Sequence, residues 1–137
     1  MSEQQSAFVF DDSKQTAAIA PAAAAEIPMG ITSKVALLTE LAQRLHFPDY
    51  FGMNWDALNE CIHDLSWLPE GPILLKHADL PLANDVANAK AYLSILDSVV
   101  RSAPGPNAHT LVVVFPTETR ERIAWLLRSA AYEQEKQ

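Results

Sequence analysis

Two carboxylates, Asp56 and Glu60, are the side chains whose spacing most clearly indicates chemistry. They lie four residues apart, so both project from the same face of a helix. Residues 45–75 contain no lysine or arginine, and their acids are Asp49, Asp56, Glu60, Asp64 and Glu70. Carboxylates without a cation nearby in the sequence are suited to pairing with the cations of another molecule.

Polar and aromatic residues accompany this acidic pair. Asn59 and His63 fall on the same side of the helix, and Tyr50, Phe51 and Trp67 bracket the acids in the sequence. A solvated helix face is the plain interpretation of two nearby acids. Aromatic side chains beside unpaired charges are typical of protein–protein interfaces, so they favour a binding surface instead.

Signatures of catalysis are weak. The chain has no GxGxxG, GxxxxGK[ST], HExxH or GxSxG motif. Cys61 and His63 are two residues apart and face different sides of a helix, so their spacing does not establish a nucleophile–base pair. Cys61 is expected to be a small buried hydrophobe. The weakest hypothesis is a hydrolase or metal protein that uses His63, Asp64, His77 and Asp79. We predict no enzyme activity, no metal and no cofactor.

A helix must position the acids, and the sequence predicts one directly after an aromatic loop, His46–Met53. Asn54 is a good N-cap, and the helix runs from it to about Leu65. Trp55, Leu58 and Ile62 recur at helical spacing opposite the acids. The helix is therefore expected to pack by its apolar face and to expose its acidic face.

The other elements alternate between helices and short apolar strands. They are a helix from Thr32 or Ser33 to before Pro48, a strand Ile73–Leu75, a helix that starts at Asn84 or Asp85 and includes Val100, a strand Leu111–Phe115, and a helix from Thr117 to about Tyr132. This order predicts an α/β fold with a small parallel sheet and right-handed crossovers.

The 137 residues are expected to form one domain with two terminal additions. Residues 1–30 are interpreted as an extension with one edge strand, either Phe8–Phe10 or about Ala22–Ile27. Residues 31–132 form the domain, including its last helix, and residues 133–137 form a tail that frays.

Composition and charge narrow the class of protein. Seventeen acids and ten bases give a net charge of −7, which argues against direct binding of nucleic acid. The apolar runs are too short to cross a bilayer, and the N-terminus has no basic stretch of a secretory signal. One cysteine excludes an intramolecular disulfide. We expect a cytoplasmic protein, monomeric when free, that has no contact with membranes.

The segment Phe47–Cys61, which reads FPDYFGMNWDALNEC, resembles the signature of the barstar family of ribonuclease inhibitors. The family pattern is an apolar residue, Pro, an acid, two aromatics, Gly, any residue, Asn, an apolar residue and then Asp-Ala-Leu. The continuation Asp64–Pro69 is also similar to bacterial members. The likeness covers about Ile31–Phe115 and leaves out residues 1–30 and the helix from Thr117.

The resemblance implies a barstar-like fold: a three-stranded parallel sheet packed against helices, to which this chain adds a C-terminal helix. In the family, the signature loop and the following helix plug the active site of a small secreted ribonuclease. Carboxylates there replace the phosphates of RNA. By position, Tyr50 matches an aromatic that stacks near the catalytic histidine, Asp56 matches the first key acid, and Glu60 stands where the family has its central aspartate.

Four positions depart from the family pattern. Asn59 and Leu65 stand where the type member has tryptophans, and Phe51 replaces a tyrosine. Glu60 keeps the charge of the central acid but is longer by one methylene group. The partner therefore need not be the ribonuclease of the type member.

These observations predict an inhibitor that binds a basic ribonuclease, or a toxin of similar charge, and blocks its active site. The alternative is a barstar-like scaffold that binds a non-ribonuclease partner through the same surface. The predicted partner-binding residues are Tyr50, Phe51, Gly52, Asn54, Asp56, Asn59, Glu60, His63 and Asp64.

Overall fold

The computed structural model describes residues 8–10, 20–102 and 109–135. Its elements are β1 (Val9–Phe10), β2 (Ala23–Ile27), α1 (Lys34–Arg44), α2 (Trp55–Asp64), β3 (Gly71–His77), α3 (Val86–Arg101), β4 (His109–Phe115), a 3-10 turn (Thr117–Thr119) and α4 (Arg120–Glu135). The mixed α/β class with a parallel sheet and an added C-terminal helix is confirmed.

Side-chain caps explain where the first three helices begin. Ser33 accepts a hydrogen bond from the Ala36 amide and caps α1, and Asp85 caps α3. Asn54 caps α2, as its sequence predicts. These bonds satisfy amide groups that the first turn of a helix leaves unpaired.

The sheet contains four parallel strands in the order β1-β4-β3-β2, so the predicted count of three strands is wrong. We expected one edge strand in the N-terminal extension, but both candidate segments form strands. Val9 pairs with Val114 at one edge of the sheet, and Ala25 pairs with Leu75 at the other. Each N-terminal segment thereby satisfies the backbone groups that β3 or β4 would otherwise leave open.

The core lies between the sheet and the helices. The largest fully buried side chains in the described part of the chain are Tyr92, Phe115, Ile27, Leu37, Leu38, Leu41, Leu45, Leu58, Ile62, Leu65, Ile73 and Leu75. α3 packs against both α2 and α4, so it lies between the acidic helix and the C-terminal helix.

The C-terminal helix continues further than predicted. α4 extends to Glu135, so residues 133–135 of the tail that we expected to fray are helical, and residues 136–137 lie outside the described residues. No helix in the described ranges combines the length and the apolar character that crossing a bilayer requires.

Candidate functional site

The candidate site is built on α2 and on the loop that precedes it. The Asn54 Oδ1 accepts a hydrogen bond from the Ala57 amide at 2.8 Å, and its Nδ2 donates to the Gly52 carbonyl at 3.3 Å. One side chain thus ties the loop to the first turn of the helix. α2 ends where Leu65 adopts a left-handed conformation, with φ of 49°, and donates its amide to the Cys61 carbonyl.

α2 separates its buried and exposed faces as predicted. Leu58, Cys61 and Ile62 are buried, whereas the polar residues of the opposite face are exposed. The exposed residues of that face are Asp56, Asn59, Glu60 and His63. Because the apolar face is held in the core, the polar face points outward in a defined direction.

The two carboxylates of the acidic pair are available to a partner. Asp56 and Glu60 are exposed, and neither has a basic nitrogen within 4.0 Å among the described residues. The ion pairs Arg44–Glu40 and Arg101–Asp97 instead form within α1 and α3. The acidic pair is therefore not neutralised by the cations of its own described chain.

Negative charge along α2 also acts on its cysteine. Burial raises the pKa of the Cys61 thiol, and the nearby carboxylates of Asp64 and Glu60 raise it further. The Nδ1 of His63 lies 2.7 Å from the carbonyl of Asn59, one turn earlier in the same helix. Cys61 is therefore a buried thiol that is protonated at neutral pH.

The two aromatic residues of the loop point in different directions. Tyr50 is 76 % exposed. Phe51 is half-buried and contacts Phe47 edge-to-face, with 4.9 Å between the ring centroids. Phe47 in turn contacts Trp67, whose indole nitrogen donates to the Leu45 carbonyl. Phe51 therefore supports the loop from within, while Tyr50 presents the outer surface.

Gly52, Asn54 and Asp64 complete the predicted set. Gly52 and Asn54 are exposed and shape the loop, as described above, and Asp64 is half-buried at the end of α2. The structure thus places all nine predicted residues on one loop and one helix, but it gives Phe51 and Asn54 mainly supporting contacts.

The structure adds a contribution from α3 that the sequence analysis missed. A groove of about 340 Å³ between α2 and α3 is lined in part by Asp56 of the acidic pair. Its lining consists of Trp55, Asp56, Asn59, Ala91, Ser94, Ile95 and Ser98. The α3 residues in this list carry no sequence signal of their own, because their place beside α2 depends on how the two helices pack.

His77 and Asp79, two residues of the hypothesis of a hydrolase or metal protein, form hydrogen bonds within the fold. His77 is buried and lies 2.9 Å from the Val114 carbonyl and 2.7 Å from the Tyr92 hydroxyl. Burial lowers the pKa of His77 to about 4, so its ring is neutral at neutral pH. Asp79 accepts a hydrogen bond from the Gly30 amide. Within the described segments, no three His, Cys, Asp or Glu side chains lie close enough together to hold a metal ion.

The fold and the site define a small α/β protein in which an acidic helix face lies next to an aromatic loop. The profile of one protein family, described as Barstar (barnase inhibitor), matches residues 8–116. This match covers well over half of the chain, and the chain belongs to the barstar family. The family is one of inhibitors rather than of catalysts. No individual curated protein and no solved structure gives a significant match.

The extent of the match corrects the resemblance read from the sequence. The match begins at residue 8 rather than near Ile31, so it includes β1 and β2. It ends at residue 116, directly before the 3-10 turn and α4. The C-terminal helix lies outside the match, as it lay outside the resemblance.

Proposed function

We propose that this protein inhibits a basic ribonuclease, or a toxin of similar charge, by covering its active site with α2 and the aromatic loop. The observation that carries the proposal is the exposed, unpaired state of Asp56 and Glu60 on one face of a packed helix. Membership of an inhibitor family supports it. The proposed contact residues are the nine predicted from the sequence, with Phe51 acting mainly from beneath the loop.

The chemistry of such a complex follows from the substrate of the enzyme. A ribonuclease binds the phosphates of RNA with cationic side chains, and carboxylates can accept the same charge-assisted hydrogen bonds. The acidic face also attracts a cationic cleft before contact, which accelerates association. Asp56 and Glu60 therefore act as substitutes for two negative groups of the substrate.

The same carboxylates select against the wrong partner. A neutral surface that covered Asp56 and Glu60 would remove water from two charges without pairing them. Leaving a buried charge unpaired costs about 3–5 kcal/mol, so a neutral protein binds this face poorly. The acidic pair thus supplies specificity as well as attraction.

RNA cleavage by basic bacterial ribonucleases, followed with a fluorogenic substrate, tests the proposal. Wild-type protein is expected to protect the RNA, and the double variant Asp56→Ala/Glu60→Ala is expected to lose protection. The matched control is Glu118→Ala/Glu121→Ala, which removes one exposed acid from the 3-10 turn and one from the first turn of α4 and changes the net charge equally. Absence of protection by the wild type, or equal loss in both double variants, would contradict the proposal.

Two departures from the family pattern favour the second candidate, a scaffold for a non-ribonuclease partner. Asn59 presents an exposed amide where the type member has a tryptophan. Leu65, at the other such position, is only 2 % exposed and belongs to the core, so it offers a partner little surface. Recovery of a basic protein without ribonuclease activity on immobilised wild-type protein, and not on Asp56→Ala/Glu60→Ala, would support this candidate.

A further inference from the structure

The direction of the acidic pair depends on what holds each end of α2. This helix has ten residues, a length at which an isolated helix is only marginally stable in water. Leu58, Cys61 and Ile62 hold its middle and its C-terminal half in the core. Its first turn, which carries Asp56, begins at Trp55, and that side chain is only half-buried.

A directional series of hydrogen bonds connects this first turn to α3. The indole nitrogen of Trp55 donates to the Asn88 Oδ1 at 3.0 Å. The Asn88 Nδ2 donates to the Asp85 Oδ2 at 2.9 Å, and the Asp85 Oδ1 accepts the Asn88 amide at 3.3 Å. Asp85 therefore fixes which way the Asn88 amide faces, because a carboxylate can bond only to its nitrogen end.

Two further contacts hold the indole ring. The Nζ of Lys34, the first residue of α1, lies 5.7 Å from the ring centroid. The Tyr92 ring, on α3, lies 6.3 Å away. Trp55 is thus the point where α1, α2 and α3 meet beside the groove that Asp56 also lines.

We propose that Asn88 is a positioning residue for partner binding: through Trp55 it holds the first turn of α2, and with it Asp56, in the orientation that a partner requires. This inference rests on the proposed function. Asn88 does not itself line the groove. Without it, the Asn54 cap remains but the Trp55 indole loses its hydrogen bond to α3, so part of the ordering of the first turn is deferred to the moment of binding. Ordering during binding weakens affinity. The charges stay in place, so the loss is expected in the dissociation rate rather than in the association rate.

The substitution Asn88→Leu tests this role, because leucine has a similar size and no hydrogen-bonding group. The dissociation rate of a ribonuclease that the wild type inhibits is expected to rise about tenfold, with the association rate nearly unchanged. Trp55→Phe keeps an aromatic ring, removes the donor and should have a similar effect. If the two residues act as one unit, the double variant loses no more than either single variant. The control is Asn84→Leu, the same change at an exposed asparagine just before α3.

Two measurements separate positioning from a merely structural role. Dissociation rates are compared where urea unfolding shows every variant to be folded, so an unchanged rate for Asn88→Leu would overturn the proposal. Hydrogen exchange of the Ala57 and Leu58 amides and of the Trp55 indole reports the first turn without any partner. Exchange at these three sites is expected to accelerate about tenfold in Asn88→Leu and to stay unchanged in Asn84→Leu.

Exchange that is equally slow in the wild type and in Asn88→Leu would also overturn the proposal. If instead the wild type binds no ribonuclease, the proposed function fails, and the exchange data alone decide whether Asn88 holds α2. The two ideas therefore fail by different observations.

Discussion

Acidification is expected to destabilise the fold through one buried histidine. His77 is 5 % exposed, and its ring stacks on Phe115 with 4.0 Å between the centroids. A carbonyl can only accept, so the Nδ1–H of His77 donates to Val114, and its Nε2 accepts from the Tyr92 hydroxyl. Both nitrogens of the neutral ring are satisfied. No described carboxylate forms an ion pair with a protonated ring.

The size and the sign of the effect follow from the lowered pKa. Burial lowers the pKa of His77 from 6.5 to about 4. Between these values the unfolded chain binds a proton that the folded chain does not, so the free energy of unfolding falls as the pH falls. Above the pKa that His77 has in the unfolded chain, its full contribution to the free energy of unfolding is present. The free energy of unfolding changes by about 1.4 kcal/mol for each pH unit in this range. About 2 kcal/mol is therefore lost by about pH 5, and about 3 kcal/mol is lost in total.

Urea unfolding from about pH 7.5 to about pH 5 measures this dependence. The comparison is with His77→Phe/Tyr92→Phe, which keeps two buried rings and removes the titrating nitrogen together with the hydroxyl that would otherwise lose its acceptor. Carboxylates contribute equally to both proteins, so the difference between the two profiles isolates His77. Parallel profiles for the wild type and the double variant would refute the reasoning.

Three other predictions concern the binding surface and one turn. The association rate with a basic ribonuclease should fall as salt is added, because ions screen the Asp56 and Glu60 charges; a rate independent of salt, by stopped-flow fluorescence, would contradict the electrostatic account. Tyr50→Ala should weaken inhibition while the free energy of unfolding, measured with urea, stays within about 0.5 kcal/mol of the wild type, since the side chain is 76 % exposed. Gly30 has φ of 86° and nothing within 4 Å of an added Cβ, so Gly30→Ala should cost about 1–2 kcal/mol through backbone strain alone; equal urea midpoints would show that no such strain exists.

The helices could be predicted because their signals are local. Ser33, Asn54 and Asp85 each cap a helix through an amide three residues ahead, so a short stretch of sequence contains both partners of the bond. The acidic face of α2 is local for the same reason, since Asp56 and Glu60 are one helical turn apart. The segment Leu111–Phe115 is rich enough in β-branched residues to predict a strand from its local sequence alone.

The strand β2 could not be predicted from local sequence signals alone. Its buried residues, Ala25 and Ile27, alternate with the exposed Ala24 and Glu26, but alanines on both faces conceal the alternation. β2 is a strand because it pairs with β3, whose residues lie about fifty positions later in the chain. Only non-local pairings, of β2 with β3 and of β1 with β4, decide that both N-terminal segments join the sheet.

The sequence by itself determined the family signature, the acidic helix and the aromatic loop before it, because each rests on residues within a few positions of one another. Tertiary structure alone decided that Asp56 and Glu60 stay free of the described cations, that Phe51 turns inward while Tyr50 turns outward, and that α3 borders the site. The physical reason is distance along the chain. Caps and helical periodicity act over one or two turns, whereas exposure, charge pairing and grooves depend on which distant elements the core brings together.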